Sequence, residues 1–354
     1  MYMLFTKHTL TFVILINGFT LCGQTPADDS NWSLEFEDNF GGTRVNPNYW
    51  WYNPPWGNCD NGAHQTNNGN NHIFTSDGII SLVSKQENSK CVRWNGVEEN
   101  KSYSTGALIS KESFRYGYFE IKCKIPELNN NNYTGKGFSP TFWLWPVEPD
   151  AYDNTHVTWS EIDFFEIDGE NNLVTNNIHY NSSNLSDHWS LRSPNLGNTD
   201  EDDFIVNFNS FQVFGCEWTP NYISFYHNGK LIQTSYTRYA DDLLPMNIYT
   251  GIATPADNFG KNFETNSLFP YSYDIDYIKV YKLEMDCNIH VSENEFNYQL
   301  FDNKVKKSIT IGKNTGRVPA NWSASLRATN SITLNDGFEV QIGSEFYANN
   351  SDCQ

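Results

Sequence analysis

Short runs of alternating apolar and polar residues, each broken by Asn, Gly or Asp, recur along this chain, and no long 3.6-residue apolar period follows the N-terminal segment. Alternation sends successive side chains to opposite faces of a strand, so such a chain must build sheets that bury one face. Gly78-Ile79-Ile80-Ser81-Leu82-Val83-Ser84 follows a Ser-Asp-Gly turn, and Tyr118-Phe119-Glu120-Ile121-Lys122-Cys123-Lys124-Ile125 alternates until it meets Pro126. Ile223-Ser224-Phe225-Tyr226-His227 runs into Asn228-Gly229 and resumes as Lys230-Leu231-Ile232. That spacing predicts a two-residue hairpin, because Asn-Gly takes the positive φ angles of a type I′ turn. Asp276-Tyr277-Ile278-Lys279-Val280-Tyr281 reads as the strand that closes the large domain. The fold class expected is all-β, a jelly-roll sandwich of two antiparallel sheets; helical crossovers, and with them a parallel sheet, are not expected.

At 354 residues the chain is longer than one such domain needs. Its composition changes after about Leu283, and residues 287–354 carry a loose internal echo: Ser331-Ile332-Thr333-Leu334, then Gly337-Phe338-Glu339-Val340-Gln341-Ile342-Gly343, then Ser344-Glu345-Phe346-Tyr347-Ala348. Short strands with a Gly between them suggest a small C-terminal β module, similar to those on some exported bacterial proteins. With 23 basic against 42 acidic residues, the net charge of −19 argues against a nucleic-acid partner, whose phosphates such a surface repels. Aromatics are dense instead, at 24 Phe, 20 Tyr and 11 Trp, which suits a protein that handles neutral ligands by stacking and hydrogen bonds.

The N-terminus sets the expected compartment. Lys7 precedes an apolar run from Leu10 to Leu21 that is shorter than the roughly 20 residues of a membrane span. Residues 1–23 therefore read as a secretory signal peptide. Cys22 raises a lipid anchor, but Phe19 and Leu21 are poor flanks for one, so cleavage close to Gln24 and an exported, monomeric protein without a membrane span are expected. The remaining cysteines, Cys59, Cys91, Cys123, Cys216, Cys287 and Cys353, are even in number and permit disulfides. Cys287 and Cys353 bracket the last segment and are the first pair expected; Cys123 and Cys216 lie in strand-like runs, as bridge partners or as buried thiols.

Chemistry concentrates in Trp159-Ser160-Glu161-Ile162-Asp163-Phe164-Phe165-Glu166-Ile167-Asp168. Glu161 and Asp163, two apart, share a strand face, while Ile162 and Phe164 take the other. Glu166 follows Asp163 by an odd step and would fall on the apolar face, unless a β-bulge at Phe164/Phe165 inserts one unpaired residue and restores parity. Three carboxyl groups then crowd one face, and at least one pKa must rise. A retaining glycosidase needs two carboxyl groups about 5–5.5 Å apart, one a nucleophile and one a proton donor. A solvated acidic strand face or a calcium site would use the same residue types. The Phe- and Trp-rich flanks favour a fixed site, and Trp50, Trp51, Tyr52 and Trp56 upstream, with Trp143 and Trp145, are suited to a sugar platform or cleft rim.

These residues resemble glycoside hydrolase family 16, the concanavalin-like jelly-roll enzymes that include laminarinases, agarases, carrageenases and porphyranases. Glu161-Ile162-Asp163-Phe164-Phe165-Glu166 matches the bulged form of the family motif E-[IV]-D-x-x-E. Phe36-Glu37-Asp38-Asn39-Phe40, Tyr116 to Pro126, Ser139 to Pro146, Phe211 to Gly229 and Asp276 to Tyr281 follow in the family's order. The resemblance implies a catalytic domain over 28–284 and a retaining, endo-acting hydrolase of a polysaccharide. It makes Glu161 the nucleophile, Glu166 the acid and then base, and Asp163 an assistant to Glu161. His179 is implied near the leaving-group sugar, with Trp143, Trp145, Trp56, Trp159 and Arg115 as further substrate contacts; Trp189 and Glu120 are weaker candidates. No catalytic cofactor is implied, but a structural calcium is, held by Asp276, the Gly78 carbonyl and a group near Glu37. The expected substrate is a β-1,3- or mixed-linkage glucan, with a red-algal galactan or a non-catalytic polysaccharide-binding role as alternatives.

Overall fold

The computed structural model describes residues 25–28, 32–51, 57–60, 62–66, 70–93, 95–125, 134–147, 157–169, 173–182, 189–192, 208–219, 222–236, 243–254, 267, 269–283, 286–293, 306–312, 316–318, 323–342 and 344–350. The leader and Cys353 lie outside these residues, as do Tyr52, Trp56 and Pro126.

Two antiparallel sheets make up the large domain. The first runs Trp189–Arg192, Leu173–Ser182, Val157–Asp168, Ser139–Trp145, Met246–Ala253 and Glu98–Phe114 in spatial order. The second runs Ile80–Val92, Tyr271–Leu283, Gly117–Lys124, Phe211–Trp218, Tyr222–His227 and Lys230–Tyr236, with Trp32–Asp38 added along Tyr271–Leu283. The long hairpin of Ile80–Val92 with Glu98–Phe114 joins one sheet to the other. Asn228 and Gly229 take φ values of 48° and 79°, the positive pair that the hairpin reading requires.

The sheets meet through aromatic rings. Phe164 of the first packs against Phe119 of the second at a centroid distance of 5.6 Å, and Phe165 against Phe214 at 4.6 Å. Burying each such side chain contributes about 1.5–3 kcal/mol. In Gly117–Lys124 the alternation sends Phe119, Ile121 and Cys123 into this layer. Trp50 joins it as well: it is 0% exposed, stacks on Phe40 and donates Nε1–H to Asp38 at 2.8 Å. It is a core residue, correcting the expectation of a cleft-rim tryptophan, and what overrides the Pro-rich loop signal is the polar partner Asp38, which lets an indole be buried.

Cys59 and Cys91 form a disulfide, which the spacing along the chain did not single out, and Cys123 and Cys216 are buried free thiols. The expected Cys287–Cys353 pair falls outside the described residues.

The C-terminal segment forms the small β module expected there, and its strands are parallel. Asp286–Glu293, Lys306–Ile311, Ser323–Leu334 and Glu345–Asn350 form a sheet in which every neighbour is parallel, with Arg317–Val318 and Glu339–Val340 as a second, two-stranded parallel sheet. Ser308-Ile309-Thr310-Ile311 stacks on Ser331-Ile332-Thr333-Leu334 residue for residue. The strands return to the same sheet through a short strand of the other sheet, so parallel pairing needs no helix here. Ile309, Ile311, Leu326 and Ala328, with Phe338 and Phe346, form a core separate from that of the jelly roll. A short parallel pair, Ala63–Thr66 with Ser104–Gly106, also occurs in the large domain. Among the described residues no helix is long and apolar enough to cross a membrane.

Candidate active site

The Val157–Asp168 strand lies third from one edge of the first sheet, between Leu173–Ser182 and Ser139–Trp145. On one side Asp163 pairs with Asn177 and Glu166 with Thr175, so Phe164 and Phe165 together face the single Asn176. On the other side Phe165 pairs with Phe142 and Asp163 with Trp143, leaving Phe164 without a register partner. Both Phe rings point into the intersheet core. Two consecutive side chains on one face are the mark of a bulge, and this bulge returns Glu166 to the face of Glu161 and Asp163. Asn176, itself buried, donates its side-chain N–H to the Phe164 carbonyl and so satisfies a backbone acceptor that the broken ladder frees.

On that face Asp163 is 1% exposed, while Glu161 and Glu166 are half-buried. Glu161 lies across from His179, whose Nε2 approaches Asp163 Oδ2 at 3.3 Å. Neither Asp163 oxygen has a hydrogen bond of normal geometry among the described residues. Asn177 Nδ2 donates to Glu166 Oε2 at 2.9 Å. Burial first, and then the charge of Asp163, push the Glu161 carboxyl up to about 10, against a smaller opposing pull from His179. Burial, and next the charge of Glu166, also hold Asp163 well above the ordinary carboxyl range, while Glu161 and then the Asn177 amide draw it back. The Glu161–Asp163 pair therefore keeps a proton at neutral pH, as three carboxyl groups on one face must.

An aromatic floor continues sideways from the acids. A single row of paired residues crosses five strands as Asn177, Asp163, Trp143, Tyr249 and Ile109. Trp143 lies 4.5 Å from Tyr249 and 5.8 Å from Trp145 between ring centroids, and Trp51, Trp143 and Val147 pack over Ala107, Ile109 and Tyr249. Gln65 reaches the Tyr249 hydroxyl with its side-chain N–H. Rings exposed at one face beside fixed polar groups are what a sugar site uses.

The structure thus brings Glu161, Asp163, Glu166, His179, Trp143 and Trp145 together. Trp56 lies outside the described residues, as do the side chains of Trp159 and Trp189. Arg115 is exposed in the turn after Phe114 and lies over the Tyr116 ring at 5.2 Å, and that ring packs on Trp218 of the second sheet. Glu120 does not reach the acids: it lies on the outer face of the second sheet, where Tyr118 and Tyr277 donate their hydroxyls to it at 3.1 and 2.7 Å. Its neighbour Phe119 takes the core side, so the alternation itself turns Glu120 away. Asn177 and Tyr249 were not anticipated from sequence. Asn177 had a signal, since it stands two residues before His179 and must share its face; Tyr249 had none short of the strand order.

The proposed calcium ligands do not fit that ion as they stand. Gly78, at φ 78°, does lie beside Asn39, whose carbonyl a Cβ there would approach to 3.2 Å. However, Asp276 Oδ2 is bound by Lys122 Nζ at 2.7 Å and Glu37 Oε1 by Lys279 Nζ at 3.2 Å. A hard dication wants unneutralised oxygen ligands, and here ammonium groups already hold both carboxylates. The one group of potential metal ligands among the described residues, Cys59, Cys91 and Glu99, is closed off by the disulfide.

The model of glycosyl hydrolases family 16 matches residues 60–279, more than half of the chain, and the protein belongs to that family. Among curated proteins it is 27% identical over 194 residues to a keratan-sulfate endo-1,4-beta-galactosidase of Sphingobacterium multivorum, covering 53% of this chain and 42% of that protein. It is 22% identical over 231 residues to the kappa-carrageenase of Pseudoalteromonas carrageenovora, covering 60% of this chain and 56% of that one. The chain thus spans about half the length of the curated relatives it matches. Among solved structures, the catalytic domain of an endo-1,3-beta-glucanase (laminarinase) from Thermotoga petrophila superposes with a TM-score of 0.53 at 20% identity, covering 71% of this chain and 98% of that domain.

Proposed function

We propose that the protein is an endo-acting, retaining hydrolase of a β-linked polysaccharide, and the observation that carries this is the bulge at Phe164/Phe165, which sets Glu166 on one face with Glu161 and Asp163. The ionised Glu161 attacks the anomeric carbon as Glu166 gives its proton to the departing glycosidic oxygen, leaving a glycosyl-enzyme ester. Glu166, now a base, takes a proton from water, which attacks the same carbon and releases Glu161 with the sugar's configuration retained. The buried pair keeps one proton between them, and Glu161 attacks from the state in which Asp163, the more enclosed partner, carries it. Trp143 and Trp145, both partly exposed, offer ring faces to the sugar, with buried Tyr249 packed against Trp143, and His179 stands at the Glu161–Asp163 end of the trio. The Cys59–Cys91 disulfide supports an exported setting.

A neutral β-1,3- or mixed-linkage glucan is the substrate we favour, because the side chains bordering the trio in register are Thr141, Trp143, Thr175, Asn177 and His179, without a Lys or Arg. A galactan is the second reading. It is supported by the galactosidase and carrageenase names of the curated relatives.

A reducing-end assay with product sizing on laminarin, lichenan, agarose, porphyran, κ-carrageenan and keratan sulfate tests the proposal. Mid-length oligosaccharides released from laminarin or lichenan as the β-anomer are expected. Release from a galactan alone moves the substrate to the second reading, and an inverted anomer or no product on any polymer overturns the mechanism.

A further inference from the structure

Resting on that reading of Glu166, we propose that Asn177 is a positioning residue that fixes which oxygen of Glu166 carries the catalytic proton, with Asn176 as the brace that keeps the bulge in place beneath it. The two asparagines are adjacent on Leu173–Ser182 and are 2% and 3% exposed, so neither amide has water to fall back on. Their side chains go opposite ways, as strand neighbours must. Asn176 reaches the Phe164 carbonyl inside the bulge, and Asn177 reaches Glu166 Oε2 on the acid face at 2.9 Å.

An amide N–H is a donor only, so Oε2 must accept. The better acceptor of a carboxylic acid is its carbonyl oxygen, which leaves the proton on Oε1, the oxygen Asn177 does not hold. The reversed amide would set its oxygen against Glu166 and draw that proton away from the glycosidic bond. In the orientation seen, Asn177 Oδ1 is buried without a hydrogen-bond partner among the described residues. That is a cost which the bond to Glu166 offsets.

Among the described residues, Asp163 and Glu161 share the face of Glu166 on its own strand, and across the other register Ser139–Trp145 presents Thr141. Asn177 is the neutral donor set among these acids.

The test compares wild type, Asn177→Ala and Glu161→Ala on polymer and on an aryl β-glycoside whose phenol leaves without protonation. For Asn177→Ala, kcat/KM on polymer should fall roughly 10- to 100-fold. On the activated aryl glycoside kcat/KM should stay within about threefold of wild type, since that leaving group needs no acid. Equal losses on both substrates would reduce Asn177 to a structural residue and overturn the inference. Should Asn177→Ala not fold, the isosteric Asn177→Asp serves, because it removes the amide donor at the same volume and should show the same loss on polymer with the aryl glycoside spared. A wild type inert on every substrate, or a Glu161→Ala variant that still turns over, is a different failure, that of the hydrolase reading itself.

Discussion

A single side chain can be both what makes this site work and what makes it costly to fold. Glu161 has an ordinary pKa near 4.5, and burial beside Asp163 pushes it up to about 10. Between those two values the folded state binds more protons than the unfolded chain, so this group's contribution to stability falls as pH rises through that window. Glu161→Gln removes the titration. The variant should lose turnover by more than about 1,000-fold, yet melt at a higher temperature than wild type at pH 8, with the gain vanishing towards pH 4. Thermal melts at both pH values check this, and a shift equal at the two would contradict it. At this scale the sequence was informative: the spacing E-x-D-x-x-E named the three acids, and His179 came with them. It misled at Trp50 and Glu120, where a local motif says nothing about which face a distant strand offers.

One extra residue in one strand decides where the acids point. Because Phe164 and Phe165 share the single partner Asn176, removing one of them leaves a regular strand whose acids stand two apart, all on the same face, with the flanking registers to Thr175 and Asn177 kept. Deleting Phe164 should therefore give a protein that folds, destabilised by about 3–5 kcal/mol for the lost ring. It should hydrolyse polymer more slowly than wild type and measurably faster than Glu161→Ala. Denaturant melts and the reducing-end assay read both quantities, and a deletion variant as inert as Glu161→Ala would show that the bulge does more than restore parity. The bulge was legible because parity is arithmetic. The Asn176 brace was not, since nothing in one strand reveals what its neighbour places opposite.

Across the whole molecule, two cores divide the work. The jelly roll buries Phe119, Phe142, Phe164, Phe165 and Phe214 between its sheets, and the C-terminal coil buries Ile309, Ile311, Leu326 and Ala328 within itself. Each segment thus holds its own apolar interior, and deleting 287–354 should leave a soluble protein with the polymer-cleaving rate of the full chain within about twofold. Loss of soluble expression, or a fall in rate comparable to that of Asn177→Ala, would mean that the coil supports the acid face. The antiparallel sandwich could be read from alternation and the Asn228-Gly229 turn. The parallel coil could not, because strand direction depends on which rung a segment meets after the chain has wound round, and the Ser308 and Ser331 copies show their kinship only when stacked.

Local chemistry along the chain determined which segments become strands, where one hairpin turns and which three carboxyl groups must share a face, because side-chain alternation and turn geometry act over a few residues. Only the tertiary structure decided that Trp143 and Tyr249 lie in one row with Asp163, that Asn177 holds Glu166, and that lysines occupy Asp276 and Glu37. Those contacts join residues far apart in sequence, and their partners are set by sheet order and register, which no local pattern encodes.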